Sequence, residues 1–275
     1  MKPRLFHIFR NTPFGRETIL QSLYFCKLMD LSPVVYFPES DKFLMYFENE
    51  AIQIDLDSSY MKNTETAERN ISEIVEEFKL TPVYLRSETK TATNLPDVKA
   101  DFEYMTCPRT ISDLSSKIGL GYIGSRVRKI VRSAQFPVLI PSAVFKPWKS
   151  VTVFFGGSVN SVNAMRLAIT VSKSSGKPLK VITFKEKNKS VEDYENILKQ
   201  ARLFDLLEKN ISSWDFYEIS SMEKDLYQVP HDSILVLGAY GHGVIKDVLF
   251  GSVLEKIQAI MPNSMLIAGP KYCMP

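Results

Sequence analysis

The chain has few of the residues that announce specific chemistries. Of 275 residues, only three are cysteine and three are histidine. Cys26, Cys107 and Cys273 form no CxxC, and any disulfide scheme leaves one of them over, so the sequence reads as that of a protein from a reducing, cytoplasmic compartment. His7, His231 and His242 stand at no metal-ligand spacing, and no zinc or other metal site is expected. A surplus of one charge is also missing: 34 Lys and Arg against 31 Asp and Glu leave +3, too little to indicate a nucleic-acid partner. No run approaches the roughly 18 apolar residues of a membrane span. The opening MKPRLFHIFRNTPFG meets charges and turn residues before a signal-peptide core can form. A soluble chain with no membrane partner is expected. With 45% hydrophobic and 24% charged residues, the composition is globular and excludes disordered, collagen-like and coiled-coil classes.

What the sequence does have is an internal repeat. GSRVRKIVRSAQFPVLI from Gly124 aligns with GSVLEKIQAIMPNSMLI from Gly251 at an offset of 127, and six of the 17 positions coincide. LFHIFRNTPFGRETILQSL from Leu5 resembles VTVFFGGSVNSVNAMRLAI from Val151 at an offset of 146. The offsets differ by 19, so the first half carries that much extra chain between its landmarks. Fifteen of those residues lie before the Asp101/Asp232 pair. They correspond to KFLMYF and AIQIDL around the turn Glu48-Asn49-Glu50, a β-hairpin inserted near residues 42–56. The boundary between halves falls in the proline-interrupted PSAVFKPWKS, residues 141–150.

Each half alternates strands and helices. In the second, VTVFF (151–155), LKVITF (179–184), Trp214–Ile219, Ser233–Leu237 and Met265–Ala268 read as strands. Asn160 or Ser161 is expected to cap a helix closed by Gly176. Ser190 with Asp193 makes a capping box, and Ser252–Met261 reads as a further helix. In the first half, strands are expected at Leu5–Phe9, Pro33–Phe37, Pro82–Arg86 and Asp101–Thr106, with helices over Arg16–Met29 and along the Ala67, Ile71, Ile74, Phe78 face. Such alternation calls for a mainly parallel sheet with helices on both faces. Both faces of KFLMYF are apolar or aromatic, so the hairpin must pack either on its own domain or against a second chain.

The most informative cluster follows the strand SILVL. Gly238-Ala-Tyr-Gly241 is succeeded by nine residues and then by Gly251-Ser252, which open a helix. Glycines permit close backbone approach, and a helix N-terminus beside a serine hydroxyl offers N–H donors and a positive dipole end, so an anion site is one reading. The other is a tight loop with a capping serine.

G-x-x-G-x9-G-S between a strand and a helix resembles the nucleotide-binding signature of the universal stress protein family, and the resemblance extends over both halves. It implies two tandem universal-stress-like (adenine nucleotide alpha hydrolase-like) α/β domains, residues 1–146 and 147–275, each a mainly parallel five-stranded sheet with helices on both faces. It further implies a stress-response or signalling role and a site for ATP or AMP, with Mg accompanying ATP. By this resemblance, Gly238 and Gly241 line ribose and phosphates, Gly251 and Ser252 hold phosphates, and Val253 adds a backbone contact. Gly156 and Gly157 at the first strand's end and His242 in the loop complete the expected site. ATP-binding members end the first strand with an aspartate, as in V-D-G-S. Here Phe155-Gly156-Gly157-Ser158 and Phe9-Arg10-Asn11-Thr12 stand instead, so neither half keeps the acid. The first half also has Cys107 and Thr110 in place of the first two glycines and is read as degenerate.

No catalytic group is expected. Gly156-Gly157-Ser158-Val-Asn-Ser161 resembles the S-G-G-x-D-S loop of ATP pyrophosphatases, but Phe155 and Asn160 replace its serine and aspartate. Ser158 and Ser252 have no evident base, which leaves at most a slow ATPase. A scaffold of the same fold that binds no nucleotide, and a homodimer joined through the hairpin, are the remaining expectations. Arg126, Arg128, Lys129 and Arg132 form the basic side of a solvated helix.

Overall fold

A computed structural model describes residues 2–86, 95–109, 111, 123–239 and 261–273. The described chain divides into two compact units, with the division between Pro147 and Trp148.

Unit one contains β1 (Arg4–Ile8), α1 (Pro13–Met29), β2 (Ser32–Tyr36), β3 (Lys42–Tyr46), β4 (Ala51–Asp55), a 3₁₀ turn (Ser58–Met61), α2 (Thr64–Phe78), β5 (Val83–Leu85), β6 (Asp97–Lys99), β7 (Tyr104–Thr106), α3 (Ser125–Ser133) and β8 (Val138–Ile140). Five strands form a parallel sheet in the order β8-β7-β1-β2-β5. The chain moves outward from β1 to β2 and β5, then returns to the other side of β1 for β7 and β8. Right-handed crossovers therefore set α1 and α2 on one face and α3 on the other. Phe9, Ile19, Leu23, Val35, Ile71 and Ile74 form one core cluster that joins α1 and α2 to the strands. Helix α1 starts earlier than Arg16 because Thr12 caps it, accepting from the Gly15 amide at 3.1 Å, with Pro13 in the first turn.

The expected hairpin forms, with Phe43 opposite Ile54 and Met45 opposite Ile52. Phe43, Met45 and Ile54 are fully buried within unit one. Phe43 meets Tyr36 edge-on, Phe47 lies against Phe136, and Asp55 pairs with Arg126 of α3. The hairpin's apolar face thus packs on its own unit. Strand β6 adds to β3 in parallel, a third strand that no alternation in Asp97-Val98-Lys99 announces.

Unit two contains β9 (Ser150–Phe154), α4 (Val159–Ser175), β10 (Leu179–Lys185), α5 (Val191–Gln200), α6 (Phe204–Glu208), β11 (Ile211–Glu218), α7 (Met222–Leu226), β12 (Ser233–Gly238) and β13 (Met265–Ala268). Its parallel sheet has the order β11-β10-β9-β12-β13, the same plan as unit one. Gly176 ends α4 at φ +65°, and Ser190 with Asp193 forms the capping box of α5. The α4 cap differs from expectation. Ser158, in extended conformation, accepts from the Ser161 amide at 3.2 Å, while Asn160 is drawn to another task. The short helices α6 and α7 carry too few turns for a periodic signal. The expected Ser252–Met261 helix lies outside the described residues except for Met261. Among the described residues, no helix is long and apolar enough to cross a membrane.

Candidate functional site

Strand order reverses beside β1 in unit one and beside β9 in unit two, and open α/β sheets bind ligands beyond the carboxyl ends of strands at such points. In unit two, β9 passes through buried Phe155 into Gly156 and Gly157, and α4 begins at once. Gly157 has φ +75°, a conformation that other residues adopt only with strain. A Cβ there would also lie 2.9 Å from Ile197 Cδ1, with the Tyr194 ring next nearest. The turn is held tight by α5, whose Tyr194 hydroxyl accepts from the Glu186 amide at 3.0 Å.

Gly238, at the end of β12, has a packing reason of its own. A Cβ there would fall 2.8 Å from the Ser161 nitrogen and closer still to the Asn160 carbonyl. Asn160 then donates its side-chain amide to the Ala239 carbonyl. The first turn of α4 is thereby fastened to the end of β12, and Gly156, Gly157 and Gly238 are gathered around that helix N-terminus. This is where an anion would meet free N–H groups and the positive end of a 17-residue helix. Gly241, His242, Gly251, Ser252 and Val253 lie outside the described residues.

At the corresponding strand end of unit one, charged and aromatic side chains stand where unit two has its glycine turn. Arg10 reaches Asp57 at 3.4 Å, and its guanidinium lies over the rings of Tyr60 and Phe14 at 5.2 and 5.7 Å. Asp57 comes from the segment leaving the hairpin and also caps the 3₁₀ turn, accepting from the Ser59 amide at 2.8 Å. Tyr60 is buried, and burial pushes its phenol well above the usual range, with Arg10 opposing and Asp57 adding to the shift. Cys107, where the family has a glycine, is wholly buried, and burial raises its thiol in the same way. Sequence reasoning found Arg10 but not its partners. The one available signal was Asp57-Ser58-Ser59, an N-cap pattern directly after the second hairpin strand.

No protein-family model matches the chain. In sequence it is 22% identical over 167 residues to a universal stress protein of Synechocystis sp.; the match spans 59% of this chain and 56% of that one. In structure it is similar to a universal stress protein from Archaeoglobus fulgidus, with TM-score 0.63, 14% identity and coverage of 97% of this chain and 96% of the other. It is also similar to a Pseudomonas aeruginosa protein assigned to the universal stress proteins, with TM-score 0.57, 9% identity and coverage of 98% and 94%. The two parallel five-stranded units, the strand order of each, and likeness to solved chains along nearly their whole length lead to one conclusion: this protein has the fold of the universal stress proteins.

Proposed function

We propose that the chain is a cytoplasmic stress-response or signalling protein with two domains, 1–146 and 147–275, and that the second binds an adenine nucleotide, ATP or AMP, without catalysing its turnover. The observation that carries this reading is the contrast at the two switch points. At the β1 end stand the side chains of Arg10, Asp57 and Tyr60, whereas the β9 end offers the bare turn Gly156-Gly157 at the N-terminus of α4. Gly238, Gly241, Gly251, Ser252 and the Val253 backbone would enclose the ribose and phosphates, His242 would face a phosphate, and Mg would accompany ATP. Because Gly156 supplies no carboxylate to the nucleoside, we expect a Kd weaker than micromolar, less favourable than about −8 kcal/mol.

Titration calorimetry of the full chain tests this reading. It should give one ATP site per chain, abolished by Gly251→Val and tightened about tenfold by Gly156→Asp, which restores the acid. An absence of heat at millimolar ATP, in the parent chain and in G156D alike, would instead support the scaffold of the same fold. A homodimer through the hairpin, on this proposal, uses its outward face, half-buried Leu44 and exposed Tyr46, because the opposite face is buried in unit one. A monomeric mass in light scattering would remove it.

A further inference from the structure

The two units end their sheets differently. The outer strand of unit one, β5, has three residues and follows Pro82, two features that keep a strand edge from pairing with another chain. The outer strand of unit two, β11, has eight residues and contains no proline, glycine, lysine or arginine. It pairs with β10 alone, and its register shifts only at Ser212, so Ser213–Glu218 is a regular stretch. Among the described residues, the backbone from Ser213 to Tyr217 has no hydrogen bond on the side away from β10.

This edge is aromatic on both faces. On one, Trp214 and Phe216 stack at 5.0 Å and reach Phe155 and Tyr194 of their own unit. On the other, Tyr217 lies against Phe184, and Asp215 pairs with Lys180 at 3.5 Å. Every residue from Ser213 to Tyr217 is nonetheless only half-buried.

Such an edge is self-complementary in one register. Two copies related by a twofold axis perpendicular to the sheet pair antiparallel, and residues directly opposite one another share a face. Over Ser213–Glu218 only two registers of this kind keep five residues paired, one centred on Asp215 and one on Phe216. The first sets Asp215 against its own copy, and like charges directly opposite repel. The second sets Phe216 against the partner's Phe216, Asp215 against the partner's Tyr217 and Trp214 against the partner's Glu218. It opposes no like charges, and it brings two Phe216 and two Trp214 rings together around the axis, with diagonal contacts that long aromatic side chains can span.

We propose that β11 is a self-association edge, on which a second copy of this chain adds its own β11 antiparallel with Phe216 on the twofold axis. The surface lies in unit two and uses neither the hairpin nor the glycine turn. Five paired residues a side make a small interface, so association is expected at roughly tens to hundreds of micromolar.

The test is light scattering of the full chain over a range of concentrations, with the variants Tyr217→Glu and Tyr217→Lys. Each places its charge opposite the partner's Asp215, and both lose the same ring from Phe184, so the difference between them reads the carboxylate across the axis. The parent chain should move from the mass of one copy toward two. Y217E should associate about tenfold or more weakly than Y217K, with matched urea midpoints showing that both fold. A parent mass of one copy up to about millimolar, equal association of Y217E and Y217K, or a parent mass that Y217E leaves unchanged would each overturn the proposal. A dimer held through the hairpin alone gives the last of these results, so the two interfaces are told apart.

Discussion

Arg10 and Gly156 stand at equivalent places, two residues past the central strand of each unit, and they lead to opposite surroundings. Arg10 pairs with Asp57 across 47 residues of chain and rests on two aromatic rings, so a charged side chain held by its own unit stands at the switch point of unit one. Gly156 brings no side chain and leads directly into the Gly157 turn and the N-terminus of α4, with Ile197 and Tyr194 beside Gly157. The inserted hairpin explains the asymmetry, because the residues leaving β4 deliver Asp57 and Tyr60, and unit two has no such insertion. A difference in chain length at one loop has become a difference in what each half can hold.

The interiors differ too. In unit one, His7 on β1 bonds Ser22 Oγ through Nδ1 at 2.9 Å, and Ser22 Oγ donates to the Thr18 carbonyl or Thr106 hydroxyl, 3.1 and 2.8 Å away. At the repeat offsets of 146 and 131, unit two has Val153, Ala168 and Leu237 in place of His7, Ser22 and Thr106. A buried polar trio thus stands where the sister unit has aliphatic packing, and His7 Nε2 has no partner among the described residues.

At neutral pH the largest effect is expected from Gly238→Val, which drives a side chain into the backbone of Asn160 and Ser161. It should destabilise unit two by about 3 kcal/mol, at the upper end for overpacking, and be read as a lowered urea midpoint. An unchanged midpoint would mean that α4 does not press on β12 as described.

Acid should act on unit one. Burial lowers the His7 pKa from 6.5 to about 3, so between those values the unfolded chain binds a proton that the folded chain refuses. Stability from this group is complete above pH 6.5 and falls as pH drops toward about 3, by roughly 1.4 kcal/mol per pH unit within the window. Hydrogen exchange at pH 7 and 4.5 should show β1 and α1 losing protection, and His7→Gln should flatten that dependence. Equal acid sensitivity in H7Q would assign the loss to other groups.

Asp57→Ala is expected to have a smaller effect. It leaves the part-buried Arg10 guanidinium, whose Nε already lacks a partner among the described residues, without its counter-charge. A loss of about 2 kcal/mol is expected. Double substitution with Arg10→Ala should recover part of it, and two purely additive losses would show that the pair is not coupled.

Much of the fold was legible in the sequence because its signals are local. Apolar pentapeptides, the Ser190/Asp193 box, Gly176 as a helix stop and the hairpin around Glu48-Asn49-Glu50 each depend on residues within a few positions of one another, and all stand where expected. Repetition of that pattern at fixed offsets was enough to fix two parallel α/β units. The site was only half legible. Sequence pointed to Gly156, Gly157, Gly238 and Arg10, but tertiary structure decided what surrounds them. Ser158 rather than Asn160 caps α4 because the helix already begins at Val159, and the Asn160 amide instead donates to the Ala239 carbonyl, 79 residues away. Gly238 is small because a helix backbone from another part of the chain lies against it. The Asp57–Arg10 pair and the β3–β6 pairing likewise join segments separated by tens of residues. Caps and periodicity are written within one turn of helix or strand, whereas which distant side chain occupies a switch point depends on contacts that exist only once the sheet has brought its strand ends together.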